Sequence, residues 1–245
     1  MIQIQNIAKY FGGVRAVKDC SFKLESQKIT ALIGPNGAGK TTLFNIINGF
    51  IIADKGSVYF KGENITKFPA WKRSRIGISR TFQHSRIFKN LSIKDNLKLA
   101  ARSDDYLFWR NLIRNPKNIS YDAKIYEVIE FIGLKKDLNV LLTEVSYGEQ
   151  KLFDLARALI NPHSILLLDE PVAGVNPVLR EKLKGLMFKL KQKGETVLLI
   201  EHDIDFVRSV ADLVIVLDQG KVLKEGEPEE VLKDKEVLEA YLGSG

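Results

Sequence analysis

Apolar and polar residues alternate in some stretches of this chain and form continuous apolar runs in others, and the two patterns predict different kinds of strand. Alternation at residues 2–7 and 21–24 is typical of antiparallel strands with one solvent-facing side. The runs at residues 164–168 and 196–200 are apolar at nearly every position, which indicates parallel strands covered on both faces. The same reasoning predicts further strands at residues 29–33, 56–60, 76–82, 213–217 and 221–224.

Helical periodicity separates these strands and predicts an α/β fold. Between about residues 92 and 139, apolar residues recur at the i, i+3, i+4 and i+7 spacing of an amphipathic helix. We therefore expect one domain over residues 1–245, in which residues 1–91 and 162–245 form a sheet-containing core. Residues 92–161 are expected to form an inserted helical subdomain. Further helices are predicted to begin near Lys40, Ser146, Pro177 and Pro228.

Charge and cysteine content narrow the possible chemistry. Lys and Arg outnumber Asp and Glu by 37 to 30, which is compatible with a nucleic-acid partner, an anionic membrane surface or a nucleotide-binding face. Basic residues are densest between Lys61 and Lys89, and this stretch predicts a binding surface without naming its partner. Cys20 is the only cysteine, so we expect no intrachain disulfide and a reducing compartment. No leader and no apolar run of membrane-spanning length is evident, so we expect a soluble protein.

The strongest chemical signal is the segment Gly-Pro-Asn-Gly-Ala-Gly-Lys-Thr at residues 34–41, which matches G-x-x-x-x-G-K-[ST] at every fixed position. Its glycines let backbone N–H groups turn towards phosphate oxygens. Lys40 places an ammonium group on the β- and γ-phosphates, and Thr41 offers a hydroxyl to Mg²⁺. The sequence therefore predicts that a nucleoside triphosphate is bound by Gly34, Pro35, Asn36, Gly37, Ala38, Gly39, Lys40, Thr41 and Thr42.

Polar side chains follow two of the predicted parallel strands. Asp169 and Glu170 end one apolar run, and His202 follows the next. The carboxyl ends of parallel strands meet at the edge of a sheet where ligands bind. We predict that Asp169 binds Mg²⁺ directly or through water and that Glu170 orients the attacking water as general base. The simpler alternatives are that both acids cap the next turn and that His202 is structural.

Ser146-Tyr147-Gly148-Glu149 precedes a predicted helix and allows two interpretations. Ser146 as N-cap and Glu149 at the third helical position would form a capping box. That interpretation does not explain Gly148, a poor residue for a first helical turn. A helix N-terminus with serine and glycine is also suited to binding an anion.

For two pairs of hydrophobic residues, the sequence allows two roles each. Tyr10 and Phe11 lie before a glycine pair upstream of the phosphate loop, and they either pack over a sheet edge or stack on a purine. Ile87 and Phe88 interrupt the basic stretch, and they either contact a partner or belong to the core of the helical region.

Over essentially its whole length, the chain resembles the ATP-binding-cassette (ABC) ATPases. The motifs that carry the resemblance are, in order, residues 34–41, Gln83, residues 146–150, Asp169, Glu170 and His202. The resemblance implies an α/β P-loop NTPase fold with a mixed RecA-like core sheet, an N-terminal antiparallel β subdomain and an inserted α-helical subdomain that carries the signature. Segments similar to the ATPase subunits of branched-chain amino-acid importers are residues 80–88, 170–177 and 239–243.

The resemblance also implies roles for single residues. Glu170, His202 and Gln83 are then catalytic, with Gln83 touching Mg²⁺ and the transport partner and His202 touching the γ-phosphate. Phe11 fits the adenine-stacking aromatic of the family better than Tyr10 does. The signature, which acts on the ATP of a second subunit, comprises Ser146, Tyr147, Gly148, Glu149 and Gln150.

Two departures from the family pattern stand out. Tyr147 occupies the position of the first glycine of the common signature, and Asn176 replaces the usual aspartate of the loop after the catalytic glutamate. Both positions bear on how the two nucleotide sites of a dimer communicate.

The function implied by the resemblance is Mg²⁺-dependent ATP hydrolysis that powers the import of branched-chain or related amino acids. The expected partners are a second ABC subunit in a head-to-tail homodimer or heterodimer, transmembrane permease subunits and, indirectly, a periplasmic or extracellular solute-binding protein. No nucleic acid is expected, and the expected location is the cytoplasmic face of the inner membrane. The alternatives are an exporter ATPase of the lipopolysaccharide type and a nucleic-acid-associated ABC ATPase.

Overall fold

The computed structural model describes residues 1–81, 88–101 and 121–242. The strands within these residues are β1 (Ile2–Phe11), β2 (Val14–Leu24), β3 (Ile29–Ile33), β4 (Lys55–Phe60), β5 (Glu63–Asn64), β6 (Ile78–Arg80), β7 (Ile165–Asp169), β8 (Val197–Ile200), β9 (Leu213–Asp218) and β10 (Lys221–Gly226). The helices are α1 (Lys40–Asn48), α2 (Ala70–Arg75), α3 (Ile93–Ala101), α4 (Tyr121–Ile132), α5 (Tyr147–Leu159), α6 (Pro177–Gln192), α7 (Ile204–Val210), α8 (Pro228–Val231) and α9 (Lys235–Leu242). Most elements lie where the hydrophobic pattern predicts them. The exceptions include β5, which has only 2 residues, and α2 and α7, whose 6 and 7 residues are too few for a helical period to be recognised.

The strands form an antiparallel sheet and a mixed sheet. The first has the order β2-β1-β4-β5, and Ile2 of β1 pairs with Leu24 on one side and Phe60 on the other. The second has the order β10-β9-β3-β8-β7-β6. Its strands are parallel except for β10, which pairs antiparallel with β9. Both the N-terminal antiparallel sheet and the mixed core sheet are therefore confirmed.

Hydrophobic side chains fill both faces of the mixed sheet. On one face, Leu32 of β3 and Leu167 of β7 pack with α1 and the antiparallel sheet. On the other face, Ala31 and Leu168 of the same strands pack with α3, α4, α5 and α6. Because α3, α4 and α5 share this cluster with α6, the core is continuous across them. The subdomain division at residues 92–161 stays a prediction.

The start and end of the helices follow local capping chemistry. Helix α1 ends at Asn48, and its C-cap residue Gly49 has a left-handed φ of 83° that stops the helix. In α6, Asn176 accepts a hydrogen bond from the N–H of Leu179, and Pro177 takes the first helical position. Asn176, which departs from the family pattern, therefore has a structural role as N-cap.

Arg73 is buried, with 1% of its surface exposed. The expectation that the basic stretch forms a binding surface is therefore wrong for this residue. Burial lowers the pKa of Arg73 to about 10, which still leaves it charged at neutral pH. Its guanidinium donates hydrogen bonds to the carbonyl oxygens of Ile46 at 2.6 Å, Ile47 at 2.7 Å, Phe68 at 2.9 Å and Thr66 at 3.0 Å.

Candidate functional site

The phosphate loop predicted at residues 34–41 connects β3 to α1. A Cβ atom on Gly34 would lie 2.0 Å from the carbonyl oxygen of Leu217 in β9, and one on Gly39 would lie 2.3 Å from that of Ala16 in β2. Gly39 also has a left-handed φ of 98° at the N-cap of α1. These two positions require glycine because neighbouring backbone approaches them closely.

Lys40 begins α1, and its side chain turns back over the loop. Its Nζ donates hydrogen bonds to the carbonyl oxygens of Gly34 at 2.7 Å and Pro35 at 2.8 Å. Burial lowers the pKa of Lys40, and the negative charge of Glu170 opposes that shift, so the lysine and the strand-end acid share one electrostatic environment. The loop is open to a ligand at Asn36, Gly37 and Thr41 and partly open at Thr42.

Asp169, the last residue of β7, is buried against Arg80. Arg80 Nη2 donates to Asp169 Oδ2 at 2.8 Å, and Nη1 donates to Asn45 Oδ1 in α1 at 2.6 Å. Burial raises the pKa of the Asp169 carboxyl, and the guanidinium of Arg80 opposes the shift. Arg80 thus links the metal-site candidate to the helix of the phosphate loop. The sequence did not single it out, because an arginine at the end of a short strand matches no motif by itself.

Glu170 and His202 meet at the carboxyl edge of the mixed sheet. The strands before them are parallel neighbours in which Asp169 pairs with Ile200. Glu170 Oε1 lies 3.0 Å from His202 Nε2, within hydrogen-bonding distance. The two side chains predicted to take part in hydrolysis therefore lie together, at the edge where a parallel sheet binds its ligands.

Ser146 and Glu149 form the predicted capping box at the start of α5. The Ser146 hydroxyl oxygen accepts from the N–H of Glu149 at 3.3 Å, and Glu149 Oε2 accepts from the N–H of Ser146 at 2.9 Å. Gly148 has a separate explanation, because a Cβ there would lie 2.8 Å from Leu179 Cδ2 in α6. The glycine makes room for the neighbouring helix.

Tyr147 and Gln150 complete the segment assigned to the signature. The Tyr147 hydroxyl donates to the carbonyl oxygen of Ala173 at 3.2 Å, and its ring is exposed. Gln150 Nε2 donates to the carbonyl oxygen of Val145 at 3.0 Å. The tyrosine that departs from the common signature therefore contacts the loop that follows Glu170.

The remaining predicted residues are less tightly placed. Phe11, at the end of β1, is 47% exposed, and the Lys9 ammonium lies 5.4 Å from its ring centroid. Tyr10 is half-buried, with the Arg15 guanidinium 5.7 Å from its ring centroid. The choice of Phe11 for adenine stacking stays a prediction. Gln83 lies outside the described residues.

Two charged residues that the sequence did not single out contact the segment after the strand-end acids. Lys151 Nζ donates to the carbonyl oxygen of Glu170 at 3.0 Å, and Glu201 Oε1 accepts from the N–H of Val172 at 2.9 Å. The sequence offered one signal for each residue: Lys151 directly follows the signature, and Glu201 directly precedes His202. Only the fold brings them to this segment.

The residues of the site fit Mg²⁺ held jointly with substrate phosphates. Among residues 1–81, 88–101 and 121–242, no group of three or more His, Cys, Asp or Glu side chains could hold a metal ion by itself. Mg²⁺ usually binds one or two carboxylates and completes its shell with phosphates and water. The buried Asp169 carboxyl and the exposed Thr41 hydroxyl are donors of that kind.

Comparison with known proteins agrees with this geometry. A family model described as "ABC transporter" matches residues 17–173. The chain belongs to the ABC transporter family. A second model, described as "Branched-chain amino acid ATP-binding cassette transporter", matches residues 221–245 of this ABC protein.

Relatives of this ABC protein match it from end to end. The probable branched-chain amino acid transport ATP-binding protein LivG of Archaeoglobus fulgidus is 35% identical over 100% of this chain and 96% of its own length. The high-affinity branched-chain amino acid transport ATP-binding protein BraF of Pseudomonas aeruginosa is 36% identical over 99% of this chain and 98% of its own.

Solved structures confirm the predicted fold class. A nucleotide-free ATP-binding cassette from an ABC transporter superposes with a TM-score of 0.86 at 33% identity and 98% coverage of both chains. An ATP-binding cassette in its ADP conformation also gives 0.86, at 34% identity, covering 99% of this chain and 98% of its own. A dimeric bacterial ABC transporter cassette gives 0.79 at 25% identity, covering 93% and 99%. The chain is thus an ABC ATPase; within its described residues, every helix is too short or too polar to cross a membrane.

Proposed function

We propose that this ABC ATPase powers the import of branched-chain or related amino acids. The observation that carries the proposal is its similarity, over the full chain, to ATP-binding proteins of branched-chain amino acid transport. The family match at residues 221–245 supports the same branch. These findings favour amino-acid import over the lipopolysaccharide-type exporter and the nucleic-acid-associated ATPase.

The proposed chemistry begins at the phosphate loop. Residues 34–42 bind the phosphates of ATP, and the Lys40 ammonium exchanges its two backbone carbonyls for β- and γ-phosphate oxygens. Glu170 orients a water molecule and accepts its proton as that water attacks the γ-phosphorus. The bond to the bridging oxygen breaks, and ADP and phosphate are released. His202, hydrogen-bonded to Glu170, contacts the γ-phosphate and keeps the carboxylate in place.

Asp169, Thr41 and Gln83 are proposed to hold Mg²⁺, which neutralises charge on the β- and γ-phosphates. Arg80 supports this role because its ion pair with Asp169 favours the ionised carboxylate that burial alone disfavours. The same guanidinium bonds to Asn45 in α1, so it joins the metal-site carboxylate to the helix that begins with Lys40.

A second ABC subunit is proposed to complete each site. Ser146 and Tyr147 are exposed at the N-terminus of α5, where the backbone N–H groups and helix dipole attract anions. In a head-to-tail homodimer or heterodimer, Ser146 to Gln150 of one subunit would close on the ATP held by the other. ATP binding then closes the dimer and hydrolysis reopens it.

The permease is proposed to dock on a groove bordered by α2, β6 and α5, whose lining combines aromatic side chains with polar and charged ones. The groove has a volume of about 320 Å³, and its lining includes Phe50, Trp71, Arg80 and Arg157. Phe50 and Trp71 are largely exposed, as expected for anchors that a partner covers. The ATPase is proposed to lie at the cytoplasmic face of the inner membrane, where the solute-binding protein acts on it only through the permease.

The experiment that tests the proposal is reconstitution in proteoliposomes with a branched-chain amino-acid permease and its solute-binding protein. We expect uptake of labelled leucine that requires Mg²⁺ and ATP. Glu170→Gln should retain ATP binding, trap a dimer and slow turnover roughly 10²- to 10⁴-fold, the range for a positioned base. Lys40→Ala should weaken ATP binding itself. Hydrolysis without amino-acid uptake would contradict the import role, and near-normal turnover in Glu170→Gln would contradict the assignment of the base.

A further inference from the structure

Glu170 has a backbone conformation that residues with a side chain rarely adopt. Its φ of 48° is left-handed, which brings Cβ close to the following carbonyl oxygen. Such a conformation persists only where the surrounding structure over-determines it. The contacts on each side of Glu170 therefore decide where its carboxylate points.

The backbone of Glu170 is held by two neighbouring elements. Its N–H donates to the carbonyl oxygen of Ile200 in β8 at 3.0 Å. Its own carbonyl oxygen accepts from Lys151 Nζ in α5 at 3.0 Å and from the N–H of Ala173 at 3.2 Å. Lys151 is the side-chain partner in this set, so it can be changed without altering the backbone.

Glu201 holds the backbone at Val172, two residues after Glu170. Its side chain is only 2% exposed; Oε1 accepts from the N–H of Val172 at 2.9 Å and Oε2 from the N–H of His202 at 3.1 Å. Burial raises the pKa of Glu201, and backbone N–H groups, including those of Val172 and His202, oppose the shift. The Glu201 carboxyl thus links the loop after Glu170 to the backbone of His202.

From these contacts we infer that Glu201 and Lys151 are positioning residues for the Glu170 carboxylate. Neither is placed to touch the reacting atoms. Glu201 fixes the peptide groups next to Val172 and His202, and Lys151 fixes the carbonyl of Glu170. Together they maintain the strained backbone and the 3.0 Å contact between Glu170 and His202. The inference rests on the proposed role of Glu170 as general base.

The test compares steady-state ATP hydrolysis by the full-length chain and its variants. In Glu201→Gln, the amide NH₂ would face a backbone N–H, so the loop should shift. We expect kcat to fall roughly tenfold to a hundredfold, the scale for a misplaced catalytic group, while KM for ATP changes less than about twofold. Lys151→Met should lower kcat in the same way. Lys151→Arg should restore most of the rate, because arginine can still donate to the Glu170 carbonyl.

Combination with Glu170→Gln separates positioning from a general structural role. If Glu201 acts through the Glu170 carboxylate, adding Glu201→Gln to Glu170→Gln should cause little further loss, whereas independent effects would multiply. Asp212→Asn is the matched control, because Asp212 also accepts a backbone N–H, from Ile29 at 2.9 Å, at the opposite end of the sheet. This control should affect thermal stability without changing kcat.

The outcomes distinguish this inference from the proposed function. Normal kcat in both Glu201→Gln and Lys151→Met, or multiplicative losses in the double variant, would overturn the positioning role while Glu170→Gln remains slow. Near-normal turnover in Glu170→Gln would instead overturn the proposed base. If Glu201→Gln does not fold, the pair Lys151→Met and Lys151→Arg still decides the question.

Discussion

Phe11 and Tyr10 are adjacent at the end of β1, yet their side chains lie in different surroundings. Successive side chains of a strand point to opposite faces. Tyr10 lines a cavity of about 870 Å³ together with residues that include Arg15, Lys18 and Lys221. Phe11 is exposed and does not line that cavity. The two side chains therefore face different surroundings, and the assignment of adenine stacking to Phe11 stays a prediction.

The prediction at this scale is that Phe11→Ala weakens ATP binding about tenfold or more, because stacking of a base on an aromatic side chain contributes about 1–3 kcal/mol. Tyr10→Ala is the matched control and should leave the dissociation constant nearly unchanged. Titration of each purified variant with a fluorescent ATP analogue measures both effects. The reverse ranking would assign the stacking role to Tyr10.

Several of the predicted site residues were recognisable from their neighbours in the sequence, whereas the role of Gln83 followed only from the family resemblance. Lys40 lies in a motif of fixed spacing, and Asp169 ends an apolar run with a charge. Arg80, Lys151 and Glu201 lacked such a context, since their roles depend on groups that are distant along the chain.

At the scale of elements, α2 is joined to α1 by Arg73. The carbonyl oxygens of Ile46 and Ile47 belong to the last turn of α1, where carbonyls lack the donors of the helix interior; Ile46 also accepts from the N–H of Gly49 at 3.2 Å. The buried guanidinium supplies donors there, and its positive charge also suits the negative end of the helix dipole. Arg73 thus stabilises the helix that begins with the phosphate-loop lysine.

We predict that Arg73→Met lowers the free energy of unfolding by about 3 kcal/mol or more, because buried carbonyl groups lose their donors. Arg75→Met, an exposed position on the same helix, should cost less than about 1 kcal/mol. Urea unfolding of both variants provides the measurement. Equal, small losses in the two proteins would show that the α1 carbonyls find other donors.

The strands were easier to predict than the short helices for a physical reason. Buried parallel strands such as β7 and β8 are apolar at every position except Asp169, the last residue of β7, so a few residues suffice to identify them. The pattern around α2 is mostly polar because its main contact with the core is an arginine side chain. Burial of a charged residue cannot be read from a hydrophobic period.

At the scale of the whole molecule, the structure decides between the two roles predicted for Phe88, partner contact and core packing. It is 59% exposed, so the alternative that it packs in the core is wrong; Ile87 lies outside the described residues. The buried Asn96 of α3 accepts from the N–H of Phe88 at 3.1 Å and donates to its carbonyl oxygen at 3.0 Å. The backbone is therefore anchored while the ring faces outward, as expected for a contact with a partner.

The corresponding prediction is that Phe88→Ala leaves the free energy of unfolding within about 1 kcal/mol and basal ATP hydrolysis nearly unchanged. Solute uptake with the permease should fall about tenfold or more, because an exposed aromatic that anchors an interface carries much of its binding energy. Leu238→Ala, at another exposed apolar position on α9, is the control and should affect none of the three. Normal uptake in Phe88→Ala would exclude this contact.

By itself, the sequence determined which residues carry chemistry and which elements are buried. Both depend on residue type and local spacing: glycines that allow a tight phosphate loop, charges that end apolar runs and a serine three residues before a glutamate. The tertiary structure alone decided which of these groups meet. Glu170 reaches His202 because β7 and β8 pair in parallel, and Asp169 meets Arg80 because β6 and β7 do. Such contacts depend on strand order and register. Both arise from packing across the whole core, so they cannot be predicted from the residue type at any single position.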